Sequence, residues 1–95
     1  MKGKMMIECI LRYPMTSEHG RTLRFERSAY FPAVPFQGSW LSLKDDSLEV
    51  DYVQFCEEAP PVLVIRAAAI PDEQVEDTID DMAECGWVVV SDVVK

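Results

Sequence analysis

Pro71-Asp72-Glu73-Gln74-Val75-Glu76-Asp77-Thr78-Ile79-Asp80-Asp81-Met82-Ala83-Glu84-Cys85-Gly86 decides the fold class, because it is the one helical segment in a chain that otherwise reads as strands. At 100° per residue Val75, Thr78, Ile79, Met82 and Ala83 fall on one stripe, and Glu73, Glu76, Asp77, Asp80, Asp81 and Glu84 cover the opposite side. Pro71 suits a first turn, where a missing N–H breaks no intrahelical bond. Asp72 and Glu73 suit the positive end of the helix dipole, and Gly86 supplies a stop. The spacing predicts one helix from Pro71 or Asp72 to about Glu84.

Outward from this helix the period changes to two. Residues 87–94 are rich in valine and read as a strand that the helix covers. Upstream, residues 62–67 form a branched, apolar run of the kind found inside a sheet. Residues 39–43 and 48–56 read as a hairpin joined at Lys44-Asp45-Asp46-Ser47. The apolar phase shifts from Leu48, Val50 and Tyr52 to Val53 and Phe55, which predicts a bulge near Asp51-Tyr52. Residues 5–13 carry apolar side chains at odd positions, and residues 22–31 alternate through Leu23, Phe25, Ala29 and Phe31. These two make a second hairpin around a long loop, Met15-Thr16-Ser17-Glu18-His19-Gly20. Between the hairpins, Pro32-Ala33-Val34-Pro35-Phe36-Gln37-Gly38 is extended, a linker or a sheet edge. The expected architecture is a single α+β domain over residues 1–95: an antiparallel or mixed five- to six-stranded sheet with one C-terminal-half helix packed on one face.

Composition narrows the function classes. With 48% apolar and 27% charged residues the chain has globular usage, and 95 residues support one modest core. Cys9, Cys56 and Cys85 are too few and too far apart for a disulfide framework or a zinc site, so reduced and mostly buried thiols are expected. The apolar run near the N-terminus is short, contains Glu8 and lacks a small-residue cleavage site. No apolar run approaches the roughly 20 residues of a membrane span. A soluble, cytoplasmic protein is the expectation.

The net charge of −8 is unevenly spread. Residues 1–31 carry +3 through Lys2, Lys4, Arg12, Arg21, Arg24 and Arg27 against Glu8, Glu18 and Glu26, which leaves −11 for residues 32–95. An acidic protein attracts a phosphate backbone poorly, which argues against direct nucleic-acid binding even with Arg12, Arg21, Arg24 and Arg27 near aromatic residues. The helix holds the sharpest feature. Its acids stack at i,i+4 spacing, each pair costing roughly 0.2–0.5 kcal/mol in an isolated helix. Glu73, Asp77, Asp80 and Glu84 are therefore the candidate binding residues, for a basic protein partner.

Nothing in the sequence names a reaction. The single histidine, His19, rules out a histidine cluster for a metal. The four glycines are isolated, so no phosphate loop is present, and no serine sits in a nucleophile elbow. No catalytic residue, metal ligand or cofactor is assigned. The alternative to a non-enzymatic interaction module is a small-molecule site or minor enzyme at the hairpin loop, using His19, Arg21 and Arg24. One helix covers only part of such a sheet, and Phe31, Phe36, Trp40, Tyr52, Phe55 and Trp87 are many large apolar side chains for a solvated face. Self-association as a homodimer is expected.

The stretch from Phe31 through Pro32-Ala33-Val34-Pro35-Phe36-Gln37-Gly38-Ser39-Trp40 to Leu41, followed by a hairpin, an acidic helix and Cys85-Gly86-Trp87-Val88, resembles small uncharacterised proteins of bacterial gene cassettes and phages. The resemblance covers about two thirds of the chain and implies a stand-alone accessory protein, without catalytic residues to carry over.

Overall fold

Alternation in the first third of the chain produces its longest hairpin. In the computed structural model, which describes residues 5–43 and 46–94, β1 (Ile7–Ser17) pairs antiparallel with β2 (Thr22–Phe31), Cys9 opposite Ala29 and Tyr13 opposite Phe25. β3 (Trp40–Leu43) and β4 (Asp46–Gln54) form the second hairpin, and β5 (Val62–Ile65) and β6 (Ala68–Ile70) follow. A 3-10 turn at Asp72–Gln74 leads into α1 (Val75–Glu84), and β7 (Val88–Val93) closes the fold. The strand order is β3-β4-β5-β1-β2-β7, with β6 also on β1. The sheet is mixed, since β5 and β6 run parallel to β1 and the remaining pairs are antiparallel.

The fold is α+β with one helix, but the sheet has seven strands among the described residues, not five or six. The added strand is β6, which lies just beyond the run read as residues 62–67. β5 ends at Ile65, and after Arg66-Ala67 the short β6 resumes beside β1 with its register moved by one residue. Three residues, Ala68-Ala69-Ile70, are too few to display a period. The bulge expected near Asp51-Tyr52 is present: the β4–β5 register shifts between Val50 and Tyr52. Of the expected turn at Lys44-Asp45-Asp46-Ser47, Asp46 and Ser47 belong to β4, and Lys44 and Asp45 lie outside the described residues, as do Lys2 and Lys4.

The hairpin loop is shorter than the sequence suggested. β1 continues through Pro14 to Ser17, and the chain reverses over Glu18 to Arg21, with Ser17 donating to the Arg21 carbonyl at 2.8 Å and Gly20 at φ 86. Pro14 falls at the break between β5 and β6, where the ladder on that side is already interrupted, so its missing N–H costs little.

The core forms between α1 and one face of the sheet. Cys9, Leu11, Leu23, Phe25, Val50, Leu63 and Ile65 are fully buried, and Val75, Met82 and Trp87 close over them. Thr78 and Ile79 are half-buried, whereas Ala83, at the margin of the helix stripe, is exposed, contrary to its place in the apolar set. The helix ends as its sequence dictates. Gly86 at φ 90 lets its own N–H reach the Ala83 carbonyl at 3.1 Å and the Trp87 N–H reach the Met82 carbonyl at 3.0 Å. This cap turns Trp87 inward beneath the helix. Trp87 therefore leaves the set of exposed apolar residues and Phe31 is half-buried against the core, while Phe36, Trp40, Tyr52 and Phe55 remain exposed.

Of the thiols only Cys9 is buried. It shares the phase of Leu11, and burial, with Glu8 adding to it, pushes its pKa up. Cys56 and Cys85 are exposed, a correction to the expectation of mostly buried thiols: Cys56 follows the end of β4 and Cys85 caps α1.

Candidate functional site

The acidic side of α1 faces solvent along its length. Glu73, Asp77, Asp80 and Glu84 are all exposed, and none has an ion-pair partner among the described residues. Two neighbouring acids differ. Asp72 pairs with His19, and Glu76 accepts from Arg21 at 3.2 Å. The basic hairpin tip thus neutralises Asp72 and Glu76 and leaves Glu73, Asp77, Asp80 and Glu84 uncompensated. Negative charge at a helix C-terminus is unfavourable, so Asp80, Asp81 and Glu84 gain nothing locally from their positions.

The C-terminal end of this stripe borders a cavity of about 420 Å³ between α1 and the adjoining ends of β3 and β4, at Leu43 and Asp46. Leu43, Met82 and Trp87 give it an apolar wall, and Asp46, Asp81 and Glu84 contribute carboxylates. Arg27 closes one side. Its guanidinium donates to the Cys85 carbonyl at 3.0 Å and lies 5.8 Å from the centre of the Trp87 ring, which Tyr13 meets edge-on. Burial and the Asp46 charge raise the Tyr13 pKa. Apolar walls under a carboxylate rim suit the long stem and cationic head of a lysine or arginine. No family model, curated protein or solved structure matches this chain.

The three residues of the hairpin-loop alternative do not converge. His19 is exposed against Asp72, which also accepts from the His19 N–H at 3.3 Å. Arg21 is held by two bonds to Asp92, at 3.0 and 2.8 Å, and by Glu76. Arg24 lies on the opposite face of the sheet, in the phase of Glu26. Among the described residues no group of His, Cys, Asp and Glu side chains is arranged to hold a metal ion. Asp46, Arg27 and Trp87 are not among the candidate site residues that the sequence offers. Only the approach of Leu43 and Asp46 to the helix end, distant in sequence, brings them together.

The Arg21–Asp92 pair carries a pH signature. The hydrogen bond from Arg21, and then its charge, hold the Asp92 carboxyl below its ordinary 3.8 despite partial desolvation. A carboxyl depressed in the folded state stabilises fully above its unfolded value, and this contribution disappears as pH falls through the folded value. Arg21→Gln should therefore be less stable than wild type near neutrality. The gap between their urea midpoints should close as pH is lowered below 3.8; a gap that stays constant with pH would show that the pair contributes no proton linkage.

Proposed function

We propose that the protein is a non-enzymatic interaction module that receives a basic segment of a partner protein along Glu73, Asp77, Asp80 and Glu84. One lysine or arginine of that segment seats in the cavity between Asp46, Asp81 and Glu84. The observation that carries this reading is the uncompensated carboxylate stripe ending at a pocket with an apolar wall. A purely structural helix would avoid its like-charge pairs with a few lysines. His19 and Arg21 are already engaged by carboxylates, which favours this reading over a ligand site at the hairpin loop. Exposed thiols at Cys56 and Cys85 suit a reducing compartment, so we place the module in the cytoplasm.

The test uses a fluorescent lysine-rich peptide at low salt, read by anisotropy. Replacing Asp77, Asp80 and Glu84 together by Lys should weaken binding by roughly ten- to a hundredfold, because three exposed ion pairs of about 0.2–1 kcal/mol each are lost and then reversed. The same charge change at Asp51, Glu57 and Glu58, exposed acids away from the helix, should weaken it far less. Equal losses in the two variants would mean that the peptide responds to net charge alone. The helix variant should fold with unchanged or slightly higher stability, since these acids make no internal pairs among the described residues.

A further inference from the structure

The helix leaves one face of the sheet uncovered, and register shows what lies there. Tyr52, Val64, Arg12, Glu26 and Val88 form a row across β4, β5, β1, β2 and β7, and Gln54, Val62, Ile10 and Ser28 form the next. Arg12 donates to Glu26 at 2.6 Å in the centre. Val62 and Val64 are buried, while Tyr52 and Val88 are exposed.

Charge separates this face from the rest of the molecule. Arg12, Arg24 and Arg66 stand against Glu8, Glu26, Glu49 and the bulged Asp51, so the face is close to neutral in a protein of net charge −8. Arginine, tyrosine and tryptophan, here including Trp40, are the residue types enriched where proteins associate. The summed strand lengths at ~3.3 Å per residue, in lanes ~4.8 Å apart, give a face of roughly 700–750 Å², close to what each partner contributes to a standard interface.

We propose that this face is the interface of a homodimer, two copies packing sheet on sheet around the Arg12–Glu26 row, with Arg24 of each copy over Glu8 of the other. Both residues are exposed, and neither has an ion-pair partner within its own chain among the described residues. Arg24 pairs with Pro14, six residues along β1 from Glu8 and so about 20 Å away. A two-fold axis midway, between the Ile10 and Arg12 rows, exchanges the two positions and makes the contact isologous. It also directs the two acidic helices to opposite outer surfaces, as far apart as the assembly allows. This proposal goes beyond the basic-partner reading and does not depend on it.

Sedimentation equilibrium over a concentration series, with the intact chain, decides the matter. Wild type should reach twice 10.8 kDa. Arg24→Glu and Glu8→Arg should each raise the dimer dissociation constant at least about tenfold, since every dimer contains two such contacts. The double variant Glu8→Arg/Arg24→Glu should restore it. Tyr52→Glu should weaken association to a similar degree, with circular dichroism confirming that each variant is folded. A wild-type protein that stays monomeric at every concentration, or a dimer whose constant none of these substitutions moves, overturns the proposal.

Discussion

Phe25→Ala should lower the unfolding free energy by about 3–5 kcal/mol, the range for truncating a fully buried aromatic residue. Phe25 has no exposed surface and sits at the centre of the sheet, opposite Tyr13 on one side and Val89 on the other. The β2–β7 register shifts beside it, between Arg24 and Phe25. Neighbouring strands are tied by their own ladders and cannot collapse into the void. For a domain whose total stability is about 5–14 kcal/mol, such a loss is a large fraction. Urea unfolding followed by circular dichroism should show a reduced midpoint with an unchanged slope. Tyr30→Ala, on the outward face of the same strand, should change stability by no more than about 0.5 kcal/mol at a concentration where the protein is monomeric. Similar losses at Phe25 and Tyr30 would contradict the sheet's assignment of inner and outer faces.

Trp87→Ala should cost about 3–5 kcal/mol as well, for a different reason. Trp87 follows the glycine cap of α1 and is turned beneath the helix, where it meets Tyr13 and carries the Arg27 guanidinium. Removing the indole deletes core volume, the aromatic contact and the support of Arg27 together. It also removes part of the cavity wall. Trp87→Phe retains an aromatic ring and should lose about 1–3 kcal/mol. Wild-type fluorescence should shift to the red on unfolding chiefly through Trp87, because Trp40 is already exposed. In Trp87→Ala, at a concentration where the protein is monomeric, the remaining emission should barely shift, although circular dichroism still reports a transition. A large residual shift would mean that Trp40 is shielded in solution, as it would be within an assembly.

Local chemistry made much of this architecture legible. The phase of Cys9, Leu11, Leu23 and Phe25 in the sequence predicts their burial, because side chains in a strand alternate strictly between two faces. The apolar shift along β4 predicts its bulge for the same reason. Gly86 marks the helix end because a residue at φ 90 is accessible to glycine at little cost. The acids of α1 can be placed on its outer side by counting 100° steps. Each of these features depends on residues only a few positions apart.

What the sequence by itself determined, then, is the one-helix α+β class, the faces of its longer strands and the acidic stripe from Glu73 to Glu84. Only the tertiary structure decided that β6 continues the lane of β5 beside β1, that Trp87 lies inside, and that Arg21 is claimed by Asp92 and Glu76. It alone brought Asp46 to the helix end and separated Arg24 from His19 and Arg21. The physical reason is range: periodicity and capping act within a turn or two of backbone, whereas these arrangements are set by pairing and packing between segments tens of residues apart, where many partners satisfy the same local pattern and only the closed core selects among them.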